Sequence, residues 1–189
     1  MRRRIGARTV EAVLAVSCFV IVGCSEPPTK EHDQAVASVT SAKDAGAATY
    51  AAEELSAAQE ALTRYDTAVT QRDYKQALSA ALTARDHGFQ AAKTAAATKE
   101  RLTAEIAASV ATIERETKAA DAAIAQAPRS AAKRADKLRQ SRKAAQQALQ
   151  DARTWQANGE LTKAAKRLAD VTAALTRDLV ARTTSSISA

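Results

Sequence analysis

The chain has 189 residues, and its first 23 differ sharply in charge and hydropathy from the rest, so at most two small domains remain beyond this leader. Of the net charge of +7, the leader carries +3 and the body +4, with both signs interleaved along the body. This pattern is typical of solvated helix faces and argues against a nucleic-acid-binding tail. Alanine supplies 46 of the 166 body residues, which favours helices that bury narrow stripes and argues against a thick globular core.

The leader has the pattern of an export signal. Residues 2–8 carry four arginines, and residues 12–22 form an apolar run of 11 residues. A helix needs roughly 20 residues to cross a hydrocarbon core, so this run is too short to span a membrane. It indicates a signal peptide that is cleaved from the mature chain.

The apolar run ends in Ile21, Val22, Gly23 and Cys24, which resemble the lipobox of bacterial lipoproteins. The resemblance implies a diacylglycerol on the Cys24 thiol, cleavage after Gly23 and acylation of the new amino group. The residue types suit this chemistry, because glycine does not obstruct a peptidase and a thiolate can take up the lipid. The alternative is an ordinary secretory signal with a chance cysteine. Cys18 lies within the leader, so the mature chain would contain no internal disulfide.

Two or three acyl chains make membrane residence stable, whereas one alone binds marginally. Residues 24–30 contain two prolines and are predicted to form a short extended tether. In enteric bacteria, an aspartate after the lipidated cysteine favours retention on the inner membrane. Ser25 stands there instead, which implies a lipid anchor in the outer membrane, facing the periplasm, if the source is Gram-negative.

Five helices are predicted from apolar residues spaced three and four apart, and they cover residues 31–45, 50–71, 74–127, 130–157 and 160–182. Gly46 and Asn158-Gly159 end helices, Asp73 caps the third, and Pro128 marks the next turn. The third helix would be about 80 Å long if it continues through Gly88.

An internal repeat supports the pairing of these helices. Residues 57–62 align without gaps on residues 144–149, and the same offset places Asp73-Tyr74 on Glu160-Leu161. Both stretches are predicted to form a helix, a tight turn and a second, antiparallel helix. The alternative is that any two alanine-rich helices look alike.

The predicted fold is therefore all-α: elongated antiparallel helical hairpins, or three-helix bundles with coiled-coil-like packing that share one long central helix, after a cleaved signal peptide. The predicted organisation is a signal peptide (1–23), a tether (24–30), an N-terminal helical hairpin region (31–95), a C-terminal hairpin or bundle (96–182) and a frayed tail (183–189).

Residues 46–84 resemble an alanine-rich family of envelope lipoproteins, domain of unknown function 4398. The matching residues are Gly46, Tyr50, Ala51, Glu53, Leu55, Ala58, Asp73, Tyr74, Ala77, Ala81 and Ala84. Ala52 stands where the family usually has proline, and Arg72 where it usually has glycine. The resemblance implies a lipidated envelope protein with a helical hairpin, which some relatives join to a peptidoglycan-binding domain.

Residue patterns for catalysis are sparse. His32 and His87 have no further histidine or cysteine at ligand spacing, and no third group supports an acid-base pair of Asp66 and Asp73. We therefore predict no catalytic residue, no metal site, no cofactor and no enzymatic activity.

One cluster of cations stands out and comprises Arg129, Lys133, Arg134, Lys137, Arg139, Arg142 and Lys143. It suits anionic lipid headgroups or acidic wall polymers. The same residues spread around most of a helical wheel, as on an ordinary solvated face.

These features predict a membrane-anchored, non-catalytic envelope lipoprotein with a structural or protein-interaction role. Its expected partners are the membrane, through acyl chains on Cys24, and an envelope protein or a peptidoglycan-associated component, but no nucleic acid. The alternative is a periplasm-facing carrier that holds a small ligand or peptide in a cavity between helix pairs.

Overall fold

The computed structural model describes residues 26–186, with side chains up to residue 181. Within this range the chain forms helices and no strand, which confirms the all-α prediction. The elements are α1 (Thr29–Asp44), α2 (Ala47–Tyr50), α3 (Ala52–Thr70), α4 (Tyr74–Ala125), a 3₁₀ turn (Arg129–Ala131), α5 (Ala132–Ala157) and α6 (Leu161–Ser186).

Helix α4 is the axis of the molecule. It has 52 residues and is therefore about 77 Å long, without a break at Gly88. Its first half packs against α1 and α3, and its second half against α5 and α6. The result is two three-helix bundles that share one long central helix, the N-terminal unit (residues 29–95) and the C-terminal unit (residues 96–186).

Several boundaries differ slightly from the predicted ones. Helix α1 begins at Thr29, within the predicted tether, and the one-turn helix α2 fills the connection after Gly46, whose φ is +83°. The helix after Pro128 starts with a 3₁₀ turn, and the last helix continues to Ser186.

The N-terminal unit is held together by close contact between helix backbones. Its buried residues are mostly alanines, among them Ala35, Ala42 and Ala84, each fully buried. A Cβ at Gly88 would lie 2.4 Å from Ser38 Oγ and 2.9 Å from the Ser38 carbonyl carbon, well inside van der Waals contact. Because only glycine leaves this space, the spacing between α1 and α4 depends on residue 88.

The C-terminal unit is filled by larger side chains. Ile106, Ile113, Leu168 and Leu175 are fully buried and belong to one cluster, which also includes Leu138 and Val171. At about 25 cal/mol per Å² of apolar surface, such residues contribute more burial each than alanine does.

The two hairpin turns have the same backbone hydrogen bonds. In the first, Arg72 N donates to Val69 O and Asp73 N to Ala68 O, both at 2.9 Å. In the second, a bond of 3.1 Å joins Gly159 N to Gln156 O, and one of 2.8 Å joins Glu160 N to Trp155 O. Each turn has a left-handed residue, with φ of +59° at Arg72 and +75° at Gly159. These pairs of bonds are Schellman helix ends, repeated at the offset of 87 residues seen in the sequence.

Tyr50 joins the two units near the middle of α4. Its hydroxyl donates to Gly159 O and accepts a hydrogen bond of 3.3 Å from Leu161 N. Its ring lies 5.4 Å from the Lys99 ammonium, which is within the range of a cation–π contact. The connection between α1 and α3 therefore touches the turn between α5 and α6, and this contact fixes how the two units stack.

Candidate functional site

The residues predicted for lipidation, Ile21, Val22, Gly23 and Cys24, lie outside the described residues. The start of the described helices limits how far Cys24 can lie from the body. Since Thr29 follows Cys24 by five residues, the two α-carbons can be separated by at most about 17 Å.

The start of α1 lies at the same end of the molecule as the turn between α3 and α4. The ring of His32 stacks on that of Tyr65 at 4.4 Å, and Tyr65 packs against Ala77 near the start of α4. Further along, Ser38 meets Gly88, so α1 and α4 run parallel. A tether at Cys24 would therefore leave from one tip of the molecule, and the turn before α5 lies about 77 Å away at the other.

Charge is distributed unequally between the two units. Residues 29–95 contain seven Lys and Arg against nine Asp and Glu, whereas residues 96–182 contain seventeen against ten. The N-terminal unit therefore has a net charge of −2 and the C-terminal segment one of +7. Charge thus marks the C-terminal unit as the part that anions would approach.

Lys137, Arg139 and Arg142 of the predicted cation cluster have acidic partners. Lys137 Nζ lies 2.7 Å from Asp178 Oδ1, Arg139 pairs with Asp136, and Arg142 pairs with Asp121 of α4. The bond to Asp121 links two helices, so Arg142 stabilises the unit in addition to contributing charge. The cluster is therefore divided between structural ion pairs and cations that face solvent.

A shallow groove between α5 and α6 gathers some of the remaining cations. Its volume is about 350 Å³, and its lining consists of Gln140, Lys143, Ala144, Gln147 and Arg167, with no carboxylate among them. Lys133 is exposed and lies seven residues before Gln140, hence on the same side of α5, and Arg129 is exposed in the 3₁₀ turn before this helix. No ion pair within the described residues involves Lys143, Arg167, Arg129 or Lys133. We call these four residues the basic surface.

Polar side chains also connect the three helices of the C-terminal unit. Thr176 of α6 donates to Glu116 of α4 at 2.7 Å, and Ser141 of α5 donates to Asp178 of α6 at 2.5 Å. Burial alone raises the pKa of Asp178, but hydrogen bonds from Lys137 and Ser141, with nearby positive charge, outweigh burial and lower the pKa below its ordinary value of 3.8. Asp178 is therefore a charged, largely buried tie between α5 and α6.

A second groove lies in the N-terminal unit between α1 and α4. It has a volume of about 500 Å³ and is lined by Gln34, Ala37, Ser38, Ser41, Arg85, Asp86 and Phe89. The groove is open to solvent, and the Phe89 side chain at its edge is 60% exposed. It lies on one side of a helix pair and does not form an enclosed chamber.

Some features of the site were absent from the sequence-based predictions. His32 is partly buried against Tyr65, and Tyr50 links the units. Burial, together with the carboxylates of Asp66, Asp33 and Glu31, raises the pKa of Tyr65 above its ordinary value of 10.0. Trp155 is partly buried and packs against the C-terminal core beside the turn between α5 and α6.

The described residues contain no group of three or more His, Cys, Asp and Glu that could hold a metal ion. No helix among them has both the length and the hydropathy needed to cross a bilayer. No match to this chain is found among protein-family models, curated proteins or solved structures. The resemblance to domain of unknown function 4398 stays a prediction.

Proposed function

We propose that this protein is a membrane-anchored, non-catalytic lipoprotein of the cell envelope, with a structural or protein-interaction role. Acyl chains on Cys24 hold it on the outer membrane, facing the periplasm, if the source is Gram-negative. Its helical body extends from the membrane and contacts another envelope protein or a peptidoglycan-associated component.

The observation that carries this proposal is the position of the N-terminus on an elongated body. The start of α1 and the turn between α3 and α4 share one tip, and α4 separates that tip from the other by about 77 Å. A lipid attached within about 17 Å of Thr29 would hold this tip near the membrane and leave the helix faces accessible. This arrangement suits a spacer or a scaffold.

The groove between α1 and α4 is the observation that bears on the carrier alternative. Its volume of about 500 Å³ falls within the range of small-molecule sites. Such sites enclose most of the ligand surface, however, whereas this groove is open and has one aromatic side chain at its edge. The open geometry favours the scaffold over the carrier.

The anchor is tested by the mass of the native protein and by the Cys24→Ala variant. The native protein should begin at Cys24 and carry the added mass of two or three acyl chains. The variant should accumulate as a larger precursor that keeps residues 1–23, because the processing peptidase of lipoproteins acts on the acylated form. Ser25→Ala is the matched control and should be processed normally. An unmodified Cys24, or a mature N-terminus elsewhere, would refute the anchor.

The interaction role is tested by crosslinking in intact cells, followed by purification of the lipoprotein. Photoreactive residues at Gln59 and Gln147 would sample an exposed position in each unit. A specific partner crosslinked at one position and absent at the other would support a scaffold with a defined contact face. Copurification of a small ligand lost on Phe89→Ala would favour the carrier instead.

A further inference from the structure

We propose that the basic surface, formed by Arg129, Lys133, Lys143 and Arg167, binds an anionic polymer of the cell wall whose phosphate or carboxylate groups repeat along a flexible chain. This inference names the contact chemistry of the scaffold, and its choice of a wall polymer over the protein's own membrane rests on the proposed anchor at Cys24.

Cations and amide groups line the groove between α5 and α6. Lys143 and Arg167 contribute positive charge, and the Gln140 amide can donate hydrogen bonds. Gln147 Nε2 already donates to Asp151 Oδ1 at 2.9 Å, so one of its two N–H groups is left for a ligand. No carboxylate lines the groove. A run of anions laid along it would meet donors and cations, which is the arrangement that recognises phosphate or carboxylate groups.

Two cations at the start of α5 oppose the helix dipole. Arg129 lies just before this helix and Lys133 in its first turn, which contains no acidic residue. Positive charge at a helix N-terminus is unfavourable, whereas acidic residues there are stabilising. Helix α3 shows the stabilising arrangement, with Glu53 and Glu54 in its first turn. The cations at the start of α5 are therefore poorly placed for folding and well placed to attract anions.

The distance between the basic surface and the tether limits which anions lie within reach. The start of α5 is about 77 Å along α4 from the tip that carries the tether. Electrostatic attraction in physiological salt extends about 8 Å, so the headgroups around the anchor do not act on the basic surface while the body is upright. The net charge of −2 on the N-terminal unit also disfavours lying flat on an anionic membrane. A polymer of the wall layer can lie at this distance from the membrane, so it can reach the basic surface while the body is upright.

The test measures binding of the purified, full-length lipoprotein in nonionic detergent to long-chain inorganic polyphosphate and to isolated wall sacculi. The variant Lys133→Gln/Lys143→Gln/Arg167→Gln removes three cations from the basic surface. The matched control Arg64→Gln/Lys43→Gln/Lys75→Gln removes two lysines and one arginine from exposed positions of the N-terminal unit. Both variants have the same net charge, so a difference between them reports location and not total charge. Thermal unfolding of both confirms that they are folded.

We expect the basic-surface variant to bind polyphosphate at least tenfold more weakly than the native protein at about 50 mM salt, with a salt dependence shallower by about two in the log–log slope. The control variant should stay within twofold of the native protein. Binding to sacculi should likewise be weakened in the basic-surface variant and nearly unchanged in the control variant. Equal losses in the two variants, or an absence of binding to both probes, would overturn the proposal.

Two further probes separate the wall polymer from other anions. Vesicles of phosphatidylglycerol and phosphatidylethanolamine, or double-stranded DNA, should compete for sacculi less well than polyphosphate does. If either competes better, the surface binds membrane or nucleic acid and the proposal is wrong. Since this assay needs no acyl chain, its failure leaves the anchor untouched, and an unmodified Cys24 would leave the binding result untouched.

Discussion

The two units have the same turn geometry but are packed in different ways. At the offset of 87 residues, Ala58 corresponds to Ala145, Ala61 to Ala148 and Ala77 to Ala164, and all six alanines are fully buried. The same offset places Gly88 on Leu175. At the first position the backbones of α1 and α4 nearly touch, and at the second a fully buried leucine belongs to the C-terminal core. One helical framework can therefore be stabilised either by close backbone approach or by large buried side chains.

The largest expected effects come from placing alanine at both of these matched positions. Leu175→Ala should lower the free energy of unfolding by about 3 kcal/mol, because it leaves a cavity among Ile113, Leu168 and Val171. Gly88→Ala should lower it by about 2 kcal/mol for the opposite reason, since the added Cβ meets Ser38 at 2.4 Å. Urea unfolding followed by circular dichroism measures both.

The direction of the stability change in Gly88→Ala is the more decisive result. In an ordinary helix interior, glycine to alanine is stabilising by about 1 kcal/mol. The double variant Ser38→Gly/Gly88→Ala removes the Ser38 Oγ and Cβ atoms and should recover part of the loss. If Gly88→Ala stabilises the protein, α1 and α4 do not approach as closely as described.

A smaller effect is expected at the tie between α5 and α6. Asp178→Asn should lower the free energy of unfolding at pH 7 by about 1 kcal/mol, because Lys137 and Ser141 lose a charged acceptor. Since folding lowers the pKa of Asp178 below its ordinary value of 3.8, its stabilisation is complete above that value and is lost as pH falls through the folded-state pKa. The free energies of unfolding of the native protein and the variant, measured in urea, should therefore approach each other as the pH falls below about 4.

The control for Asp178 is Asp136→Asn, which removes an exposed partner of Arg139. Surface pairs of this kind contribute little, so the variant should unfold within about 0.5 kcal/mol of the native protein. If the difference in free energy of unfolding between the native protein and Asp178→Asn stays constant down to pH 2, the charged carboxylate is not the source of the stabilisation.

The smallest effects are expected at the two turns, where they have opposite signs. Arg72→Gly should raise the free energy of unfolding by about 0.5–1 kcal/mol, because an L-residue at φ of +59° is strained and glycine is not. Gly159→Ala should lower it by a similar amount, since open space around Gly159 leaves backbone strain as the only cost. Replicate urea-unfolding measurements on both variants resolve shifts of this size. Shifts of the same sign would contradict the equivalence of the turns.

The helices followed from local patterns in the sequence. Apolar spacing and the breaks at Gly46, Asp73, Pro128 and Gly159 placed most helix ends within two residues of those observed. These signals act within a turn or two of helix, so the sequence alone contains them. The hairpin turns followed as well, because the repeat aligned them without gaps.

Contacts between residues far apart in the chain did not follow in this way. Nothing near Tyr50 indicates that its hydroxyl meets Gly159, since 109 residues separate them and the contact depends on how the two units stack. The close approach at Ser38 and Gly88 likewise depends on the register of α1 against α4. The cation cluster of residues 129–143 was visible in the sequence, but the ion pairs of Lys137 and Arg142 depend on the positions of Asp178 and Asp121. Arg167 lies outside that cluster, and only the packing of α6 on α5 brings it to the groove.

The shared helix α4 also determines the order in which the chain can complete its structure. Synthesis proceeds from the N-terminus, so α1, α3 and the first half of α4 can assemble while α5 and α6 are still missing. During this interval Ile106 and Ile113 lie on a helical segment that lacks the partners which later bury them. The second half of α4 is then an amphipathic surface exposed for about sixty residues of further synthesis, and it is the part of the chain that a chaperone would have most reason to hold.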